Sequence, residues 1–282
     1  MQFRHWIVLL VLSCGILPLP EAAAQISLRP QRVLLLGQKQ DGHPAATHEY
    51  MAGLRGLAIL LNRQSSVQAI VVQADSPWHD GPELLDGADG VVLFLSEGAK
   101  WVSDDPERLA AFQRIARRGG GFTCLHWGMG TREAGPIADF ALMFGGCHGG
   151  PDRKFKIVSV TAKPATEAHP ILKGIAPFEV EDEFYYALKR PPQTAERTIL
   201  PLITVPIDDA EQTVAWACNR GDGGRSFGFS GLHFHKNWKL QEYRRLVLQG
   251  ILWTLNQPIS KDGLPVEVAD SVFDLPVPST ER

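Results

Sequence analysis

The chain has 282 residues, with 31 acidic and 28 basic side chains and a formal net charge of −3. This length is enough for one α/β domain with a well-buried core. The balanced charge, the absence of Lys/Arg runs and the pI near 6.3 argue against a nucleic-acid partner. Past the first 24 residues the chain keeps Cys124, Cys147 and Cys218, an odd set without a CxxC spacing, which disfavours a disulfide framework and covalent haem.

Residues 1–24 have the pattern of a secretory signal peptide. Arg4 precedes the apolar run 6–12, and the segment ends in the small residues of 22–24. We therefore expect an exported protein, periplasmic or extracellular, and find no other segment in the mature chain long and apolar enough to span a membrane. Cys14 offers an alternative, a lipoprotein anchor. The remaining chain is interpreted as one domain over 25–257 and a Pro-rich tail over 258–282, and whether the tail mediates homo-oligomerisation is left open.

Strand and helix patterns alternate in the first half of the chain. The apolar run 32–37 is typical of a strand buried on both faces of a parallel sheet, and a helix is expected over 48–62 with Thr47 as its N-cap. Further strands are expected at 67–73, 90–95 and before His126, with a helix opened by Asp105 and Pro106. This alternation predicts a doubly wound α/β sheet, which binds ligands at the carboxyl ends of its strands.

The second half of the chain is richer in strand patterns. Strands are expected at 155–161, 198–204, 213–218 and 225–230, followed by a helix over 241–256. No Ser/Gly linker divides the two halves. We therefore interpret the first two of these strands as a β-rich extension of the sheet.

The segment 122–128 predicts a tight strand-to-helix elbow. A short apolar run stops at His126, which Gly128 follows two residues later. In α/β hydrolases such an elbow lifts a nucleophile out of the sheet. Imidazole does not easily replace serine or cysteine as an acylated nucleophile, so the pattern indicates a hydrolase architecture with other chemistry. The alternative is a buried histidine bonded to a backbone carbonyl.

Three further polar segments are candidate sites. The loop 41–50 is dense in ionisable groups, although it is also a plausible capped helix start. In the extended segment 181–186, alternation predicts that Glu183 points inward and Asp182 faces solvent, although the segment could equally be a solvated acidic face. His233 and His235 would share one face of an extended backbone and could bind zinc, but two ligands do not complete a site.

The order of short motifs resembles the ThuA-like (trehalose utilisation) family over residues 32–257. The resemblance implies a flavodoxin-like doubly wound sheet of the class I glutamine amidotransferase-like type, without the amidotransferase cysteine at the elbow. It also implies an association with sugar metabolism. Cys124 and the pair Cys147-His148 have no role that the resemblance supplies. The motifs are His43…His48-Glu49, Gly119–Phe122 ending in Leu125-His126, His169–Ile171, Asp182–Tyr185, Ala215-Trp216, and His233-Phe234-His235 with Trp238.

The residue patterns together with this resemblance predict an exported, isomerase- or hydrolase-like enzyme that acts on a saccharide or keto-saccharide in a histidine-lined cleft at the strand ends. His126 and His233 would face each other as proton-transfer groups or ligands, with Glu183 as their carboxylate partner. The substrate-binding walls would be formed by His48, Glu49, Trp127, Tyr185 and Trp238.

Three alternatives remain open at this point. A non-catalytic carbohydrate-binding protein would keep the aromatic cleft without needing the histidines. A metal-dependent hydrolase would use a zinc ion on His233 and His235, joined by His126 or Glu183. A cysteine amidohydrolase would use Cys124.

Overall fold

The computed structural model describes residues 29–166 and 168–275. The predicted signal peptide and the alternative anchor at Cys14 lie outside these residues, as do the last seven residues of the tail. Within the described part, no helix is both long and apolar enough to cross a membrane.

The first half of the chain follows the predicted alternation of strands and helices. Strand β2 has the predicted bounds, and β1, β3 and β4 lie within one or two residues of theirs. Three short helices were not predicted, because each offers few helical repeats to recognise. The elements are β1 (Gln31–Gly37), α1 (Tyr50–Leu61), β2 (Val67–Gln73), α2 (Gly81–Asp86), β3 (Gly90–Leu93), α3 (Gly98–Ser103), α4 (Pro106–Arg117), β4 (Gly121–Leu125), β5 (Gly130–Thr131), α5 (Ile137–Phe144) and β6 (His148–Gly149).

The second half contributes mainly antiparallel strands. Segment 178–186, predicted only as extended backbone around its acidic residues, is a full strand that pairs with the strand before it. The elements are β7 (Lys154–Pro164), β8 (Phe178–Tyr186), β9 (Thr198–Ile207), β10 (Ala210–Asn219), β11 (Arg225–Phe229) and α6 (Gln241–Thr254).

One nine-stranded sheet runs through the molecule in the order β2-β1-β3-β4-β11-β10-β9-β7-β8. The first five strands in this order are parallel, and the last four extend the sheet with antiparallel pairs. The parallel part has the flavodoxin-like order with β11 as its fifth strand. The predicted doubly wound sheet and its β-rich extension are therefore confirmed.

Helices cover both faces of the parallel strands. In β1, Val33 and Leu35 face a core shared with α1 and α6, whereas Leu34 and Leu36 face a core shared with α2 to α5. Successive strand residues point to opposite faces, so a strand between two helical layers needs apolar residues at every position. This is why residues 33–36 form an uninterrupted apolar run.

The starts of α1 and α4 show how local sequence sets the loops. Asp105 caps α4 as predicted, since its carboxylate accepts from the N–H groups of Glu107 and Arg108. The predicted start of α1 is wrong. The helix begins at Tyr50, because His48 has a positive φ of 51° and its N–H donates to the His233 carbonyl. The Thr47 hydroxyl donates to the Pro44 carbonyl and does not cap the helix.

The described part of the tail packs against the domain. The Phe273 ring is buried and stacks on Trp238 with ring centroids 5.6 Å apart. It also fills the space above Gly56 of α1, where an added Cβ would lie 2.1 Å from the ring. Only glycine therefore fits at residue 56 beneath the tail.

Candidate functional site

Three loops bring histidines together at the carboxyl edge of the parallel sheet. His48 lies in the loop after β1, His126 directly follows β4, and His233 lies in the loop after β11. Parallel strands end at the same edge, and this edge is where open α/β sheets bind ligands. His126 and His233 meet as the sequence predicts, and His48 joins them.

His126 lies at the elbow in a backbone conformation that few residues other than glycine adopt. Its φ is 46°, in the left-handed region, and its side chain is fully buried. Such backbone conformations cost energy and persist where the surrounding structure enforces them. Gly128 allows the turn to pack on β3, because a Cβ at this position would lie 2.4 Å from the Leu93 carbonyl oxygen.

Backbone hydrogen bonds join the loop after β1 to the loop after β11. Thr47 and Phe234 form an isolated antiparallel bridge, and the His235 N–H donates to the Ala46 carbonyl. Because His48 and His233 also share a backbone hydrogen bond of 3.1 Å, the two imidazoles are held in a fixed relation to each other.

One nitrogen from each of the three imidazoles points to a common centre. His48 Nε2 lies 3.0 Å from His126 Nε2, and His233 Nδ1 lies 3.1 Å and 3.2 Å from these two atoms. The tautomers of two rings follow from their other nitrogens. His126 Nδ1 donates to the Ser230 carbonyl at 2.8 Å, and His48 Nδ1 donates to the Asp41 carboxylate at 3.0 Å. The Nε2 lone pairs of His48 and His126 therefore face each other.

The arrangement fits a divalent transition-metal ion. A cation bonded to three imidazole nitrogens at about 2.1 Å, in tetrahedral or octahedral geometry, holds them about 3.0 to 3.4 Å apart. The three observed separations fall in that interval. The hydrogen bond from His48 to Asp41 is also the carboxylate–histidine pair that commonly orients a metal ligand. Lone pairs that would otherwise repel one another gain a shared partner when a cation binds.

Burial keeps the three imidazoles neutral at neutral pH. Desolvation lowers the pKa of His126 well below its ordinary value, and the neighbouring His48 and His233 lower it further. Burial, followed by the neighbouring His48 and His43, lowers the pKa of His233 to about 4. Burial also lowers the pKa of His48, although Asp41 acts in the opposite direction. Neutral imidazole is the form that binds metals, and it is a poor proton donor near pH 7.

Glu183 and Tyr185 approach the histidines from β8. Glu183 Oε1 lies 3.7 Å from His233 Nδ1 and 3.9 Å from His126 Nε2, so the structure places it beside both imidazoles. Burial, followed by the neighbouring Asp182, raises the pKa of Glu183 to about 7. The Tyr185 hydroxyl lies 2.9 Å from His126 Nε2, and its ring stacks on that imidazole at 4.4 Å.

A small cavity opens onto this cluster. Its volume is about 130 Å³, below the roughly 300 Å³ at which pockets for drug-sized ligands begin, so it suits a ligand the size of one sugar residue. His126 lies beneath its floor. The lining residues are His43, His48, Trp127, Arg132, His148, Arg153, Phe155, Glu183, Tyr185 and His233.

Comparison with known families decides the relationship of this chain. The family model described as "ThuA: Trehalose utilisation" matches residues 32–254. The chain belongs to the ThuA family. Comparison of this ThuA chain with curated proteins found no match.

Solved structures share the ThuA fold at low sequence identity. A putative ThuA-like protein from Bacteroides uniformis is 14% identical, with a TM-score of 0.59 over 84% of this chain and 95% of that one. A cytoplasmic protein from Salmonella typhimurium is 14% identical, with a TM-score of 0.52 over 79% and 98%. A GH42 β-galactosidase from G. stearothermophilus is 14% identical, with a TM-score of 0.51 over 82% of this chain but 31% of that one. At these identities the likeness shows the fold alone.

Three residues predicted for the site of this ThuA chain lie elsewhere. Trp238 is fully buried between Phe273 and Phe94, so it presents no face to a substrate. Glu49 accepts the Ala46 N–H at 3.1 Å and holds its own loop instead of lining the cavity. His235 does not share the face of His233, because a short helical turn starts there and its Nε2 donates to the Phe273 carbonyl.

Asp182 is buried, whereas the sequence predicted that it would face solvent. Its carboxylate is fully buried and accepts the backbone N–H groups of Leu232, His233 and Phe234 and the Tyr243 hydroxyl. Burial raises the pKa of Asp182 to about 6, although these donors act in the opposite direction. Alternation holds in β8 but in the opposite phase, since Asp182 shares the core-facing side of the strand with Val180 and Phe184. Asp182 therefore positions the His233 loop from behind.

The three cysteines of the described residues lie buried in the hydrophobic core. Cys124 is fully buried, and burial raises the pKa of its thiol well above the ordinary value. Cys147 is buried as well, and burial raises its pKa to about 12. Reactive cysteines need an exposed and stabilised thiolate, so neither residue fits a nucleophile.

Several residues in or behind the cavity were not assigned by the sequence. Asp41 lay in a segment recognised as rich in ionisable groups, but nothing indicated that it orients His48. His148 was noted without a role, and its ring stacks on Tyr185 at 3.8 Å. Arg153 and Phe155 carried no signal, because only the pairing of β7 with β8 brings them to the cavity.

Proposed function

We propose that this ThuA chain is a metal-dependent enzyme that acts on a saccharide or keto-saccharide. The observation that carries the proposal is the convergence of His48 Nε2, His126 Nε2 and His233 Nδ1 at 3.0 to 3.2 Å. Three imidazole ligands with an open side are typical of catalytic zinc sites. The trehalose utilisation family supports a carbohydrate substrate.

The three histidines would then bind a metal and would not transfer protons as the sequence predicts. Their lowered pKa values and facing lone pairs suit ligands, whereas the predicted proton-transfer role requires pKa values near 7. Zinc is the first candidate, although imidazole also binds copper, iron and nickel.

A bound ion would supply Lewis acidity toward a sugar oxygen or a water molecule. Glu183 would accept and return the proton at Oε1, since its side chain lies beside the histidines and reaches the cavity. The Tyr185 hydroxyl would hydrogen-bond the reacting oxygen, and burial keeps it neutral by raising its pKa. Trp127, 4% exposed, would close one wall against water.

The test is the metal content of the purified protein with turnover of a panel of saccharides and keto-saccharides. We expect about one bound metal ion per chain, loss of turnover on chelation, and recovery on adding the metal back. His126→Ala should bind the metal ion at least tenfold more weakly, since one of its three ligands is lost. His79→Ala, which changes an exposed histidine outside the cavity, should behave as the unmodified protein.

Two results would contradict this function. A protein that binds no metal at micromolar Zn²⁺ and loses no turnover with chelator would return the histidines to a proton-transfer role. Sugar binding without turnover, unchanged in His126→Ala, would favour the non-catalytic carbohydrate-binding protein.

We also propose that the protein is exported, on the pattern of residues 1–24. Fractionation of expressing cells with N-terminal sequencing tests this. An unprocessed chain in the cytoplasm would contradict it, and an acylated amino terminus at Cys14 would support the lipoprotein alternative.

A further inference from the structure

Two arginines line the cavity, and their partners differ. Arg132 forms an ion pair with Glu97, and its backbone N–H donates to the same carboxylate at 3.0 Å. Within the described part of the chain, the Arg153 side chain donates to one acceptor, the Gly150 carbonyl, at 3.2 Å. Among the ion pairs of residues 29–166 and 168–275, none involves Arg153. A half-buried guanidinium at a cavity without a carboxylate partner is available to an anionic ligand.

The pairing of β7 with β8 orders the groups along the cavity. Ile157 lies opposite Glu183, and Phe155 lies opposite Tyr185. Residues directly opposite one another share a face, and so do residues two apart along one strand. Arg153 directly precedes β7, two residues before Phe155, and lines the same cavity at the end remote from Glu183.

The spacing suits one sugar residue. Arg153 is four residues from Ile157, which at about 3.3 Å per residue separates the backbones by about 13 Å. The Arg153 and Glu183 side chains reach into the cavity and shorten this distance. Between them the Phe155 ring is 54% exposed, an apolar surface against which a sugar ring can stack.

The two ends of the cavity differ in charge. Among the described residues that line the cavity, Glu183 is the one carboxylate, and it lies at the histidine end. At the other end burial, followed by the Arg153 charge, lowers the pKa of His148 to about 3, so that imidazole is neutral. The remote end thus carries an unpaired positive charge, and the histidine end gains positive charge only with a metal.

We propose that the substrate is a sugar acid, whose carboxylate pairs with Arg153 while its other end meets the histidine cluster. The proposal rests on the saccharide function above and names the class of saccharide. A planar guanidinium and a carboxylate form two parallel hydrogen bonds, which fixes the ligand's orientation as well as its position.

The experiment compares sugars that differ only in the carboxylate. Calorimetric titration of the metal-loaded protein with glucuronate and glucose, and with galacturonate and galactose, gives the preference for the acid. We expect at least one acid to bind tenfold or more tightly than its neutral partner. Arg153→Gln should abolish the preference, and Arg153→Lys should keep part of it, because a lysine retains the charge without the paired hydrogen bonds.

Arg55→Gln is the matched control, since it removes one positive charge from an exposed position of α1 outside the cavity. The preference of Arg55→Gln for the acid over the neutral sugar should equal that of the unmodified protein. Equal binding of acids and neutral sugars, no binding of either, or a preference that survives Arg153→Gln would overturn the proposal. Tighter binding of glucose 6-phosphate than of either acid would replace the carboxylate with a phosphate.

The two proposals fail in distinguishable ways. Metal content is measured without sugar, and the acid preference can be measured after chelation. A metal-free protein with an Arg153-dependent preference would remove the metal function and keep the sugar acid. A metal-loaded protein that does not prefer the acid would keep the metal function and remove the sugar acid.

Discussion

Replacing Asp41 by asparagine tests whether the histidine cluster is built to hold a metal. The Asp41 carboxylate accepts the His48 Nδ1 proton at 3.0 Å and the Tyr50 hydroxyl at 2.7 Å. Although burial by itself would raise the pKa of Asp41, the hydrogen bonds from His48 and Tyr50 hold it well below its ordinary value. Asp41 is therefore ionised and fixes the His48 tautomer.

The expected loss follows from the change in that hydrogen bond. An asparagine oxygen would still accept the proton but without charge, and such bonds are roughly half as strong. An asparagine NH₂ group facing His48 would move the imidazole proton to Nε2 and remove one of three ligands. Changes behind a histidine ligand typically cost 10- to 100-fold in metal affinity, which equals about 1.4 to 2.8 kcal/mol. We expect Asp41→Asn to fall in this range.

Competition with a chromophoric chelator at fixed pH measures this affinity. Asp139→Asn removes the same charge from an exposed position of α5 and should leave the affinity unchanged. Tyr50→Phe keeps the Asp41–His48 bond and should cost less than Asp41→Asn. An Asp41→Asn protein that is folded by circular dichroism and binds metal within twofold of the unmodified protein would refute the orienting role of Asp41.

Three further predictions concern Glu183, Asp182 and Cys124. Glu183→Gln should lower kcat by about 10²- to 10⁴-fold with little change in metal affinity, while Glu181→Gln, at an exposed residue paired with Lys236, should leave kcat unchanged. Asp182→Ala should lower the free energy of unfolding by about 3 kcal/mol in denaturant titration, because it leaves buried N–H donors without an acceptor. Iodoacetamide should leave Cys124 unmodified and turnover intact in the native protein, since the thiol is buried and its pKa is raised.

Each of these outcomes has a clear opposite. A Glu183→Gln protein with normal kcat would remove that carboxylate from proton transfer. An Asp182→Ala protein of unchanged stability would show that water accepts the hydrogen bonds of the backbone N–H groups that Asp182 leaves. Rapid alkylation of native Cys124 with loss of turnover and ammonia release from amides would restore the cysteine amidohydrolase.

The sequence by itself determined the doubly wound sheet and the elbow. Residues 33–36 are apolar at every position because helices cover both sides of β1, and this two-sided burial is visible in the pattern. Asp105 before Pro106 fixed the start of α4 through a local cap. The tight turn at His126 was recognisable for the same reason, since it depends on neighbouring residues such as Gly128. The helix that follows β4 is a single 3₁₀ turn, His126–Met129, before β5.

Only the tertiary structure decided which polar residues meet. His233 and His235 are alike in the sequence, yet the bridge between Thr47 and Phe234 brings one to the cluster and leaves the other bonded to Phe273. Asp182 became buried because the loop after β11 folds its N–H groups onto it.

Trp238 lies in the core because Phe273 of the tail covers it. Arg153, directly before β7, reaches the cavity because β7 pairs with β8. These contacts join residues far apart in the chain, and no local pattern encodes them. Periodicity and capping act over a few residues, whereas the site is made by loops that share one edge of the sheet.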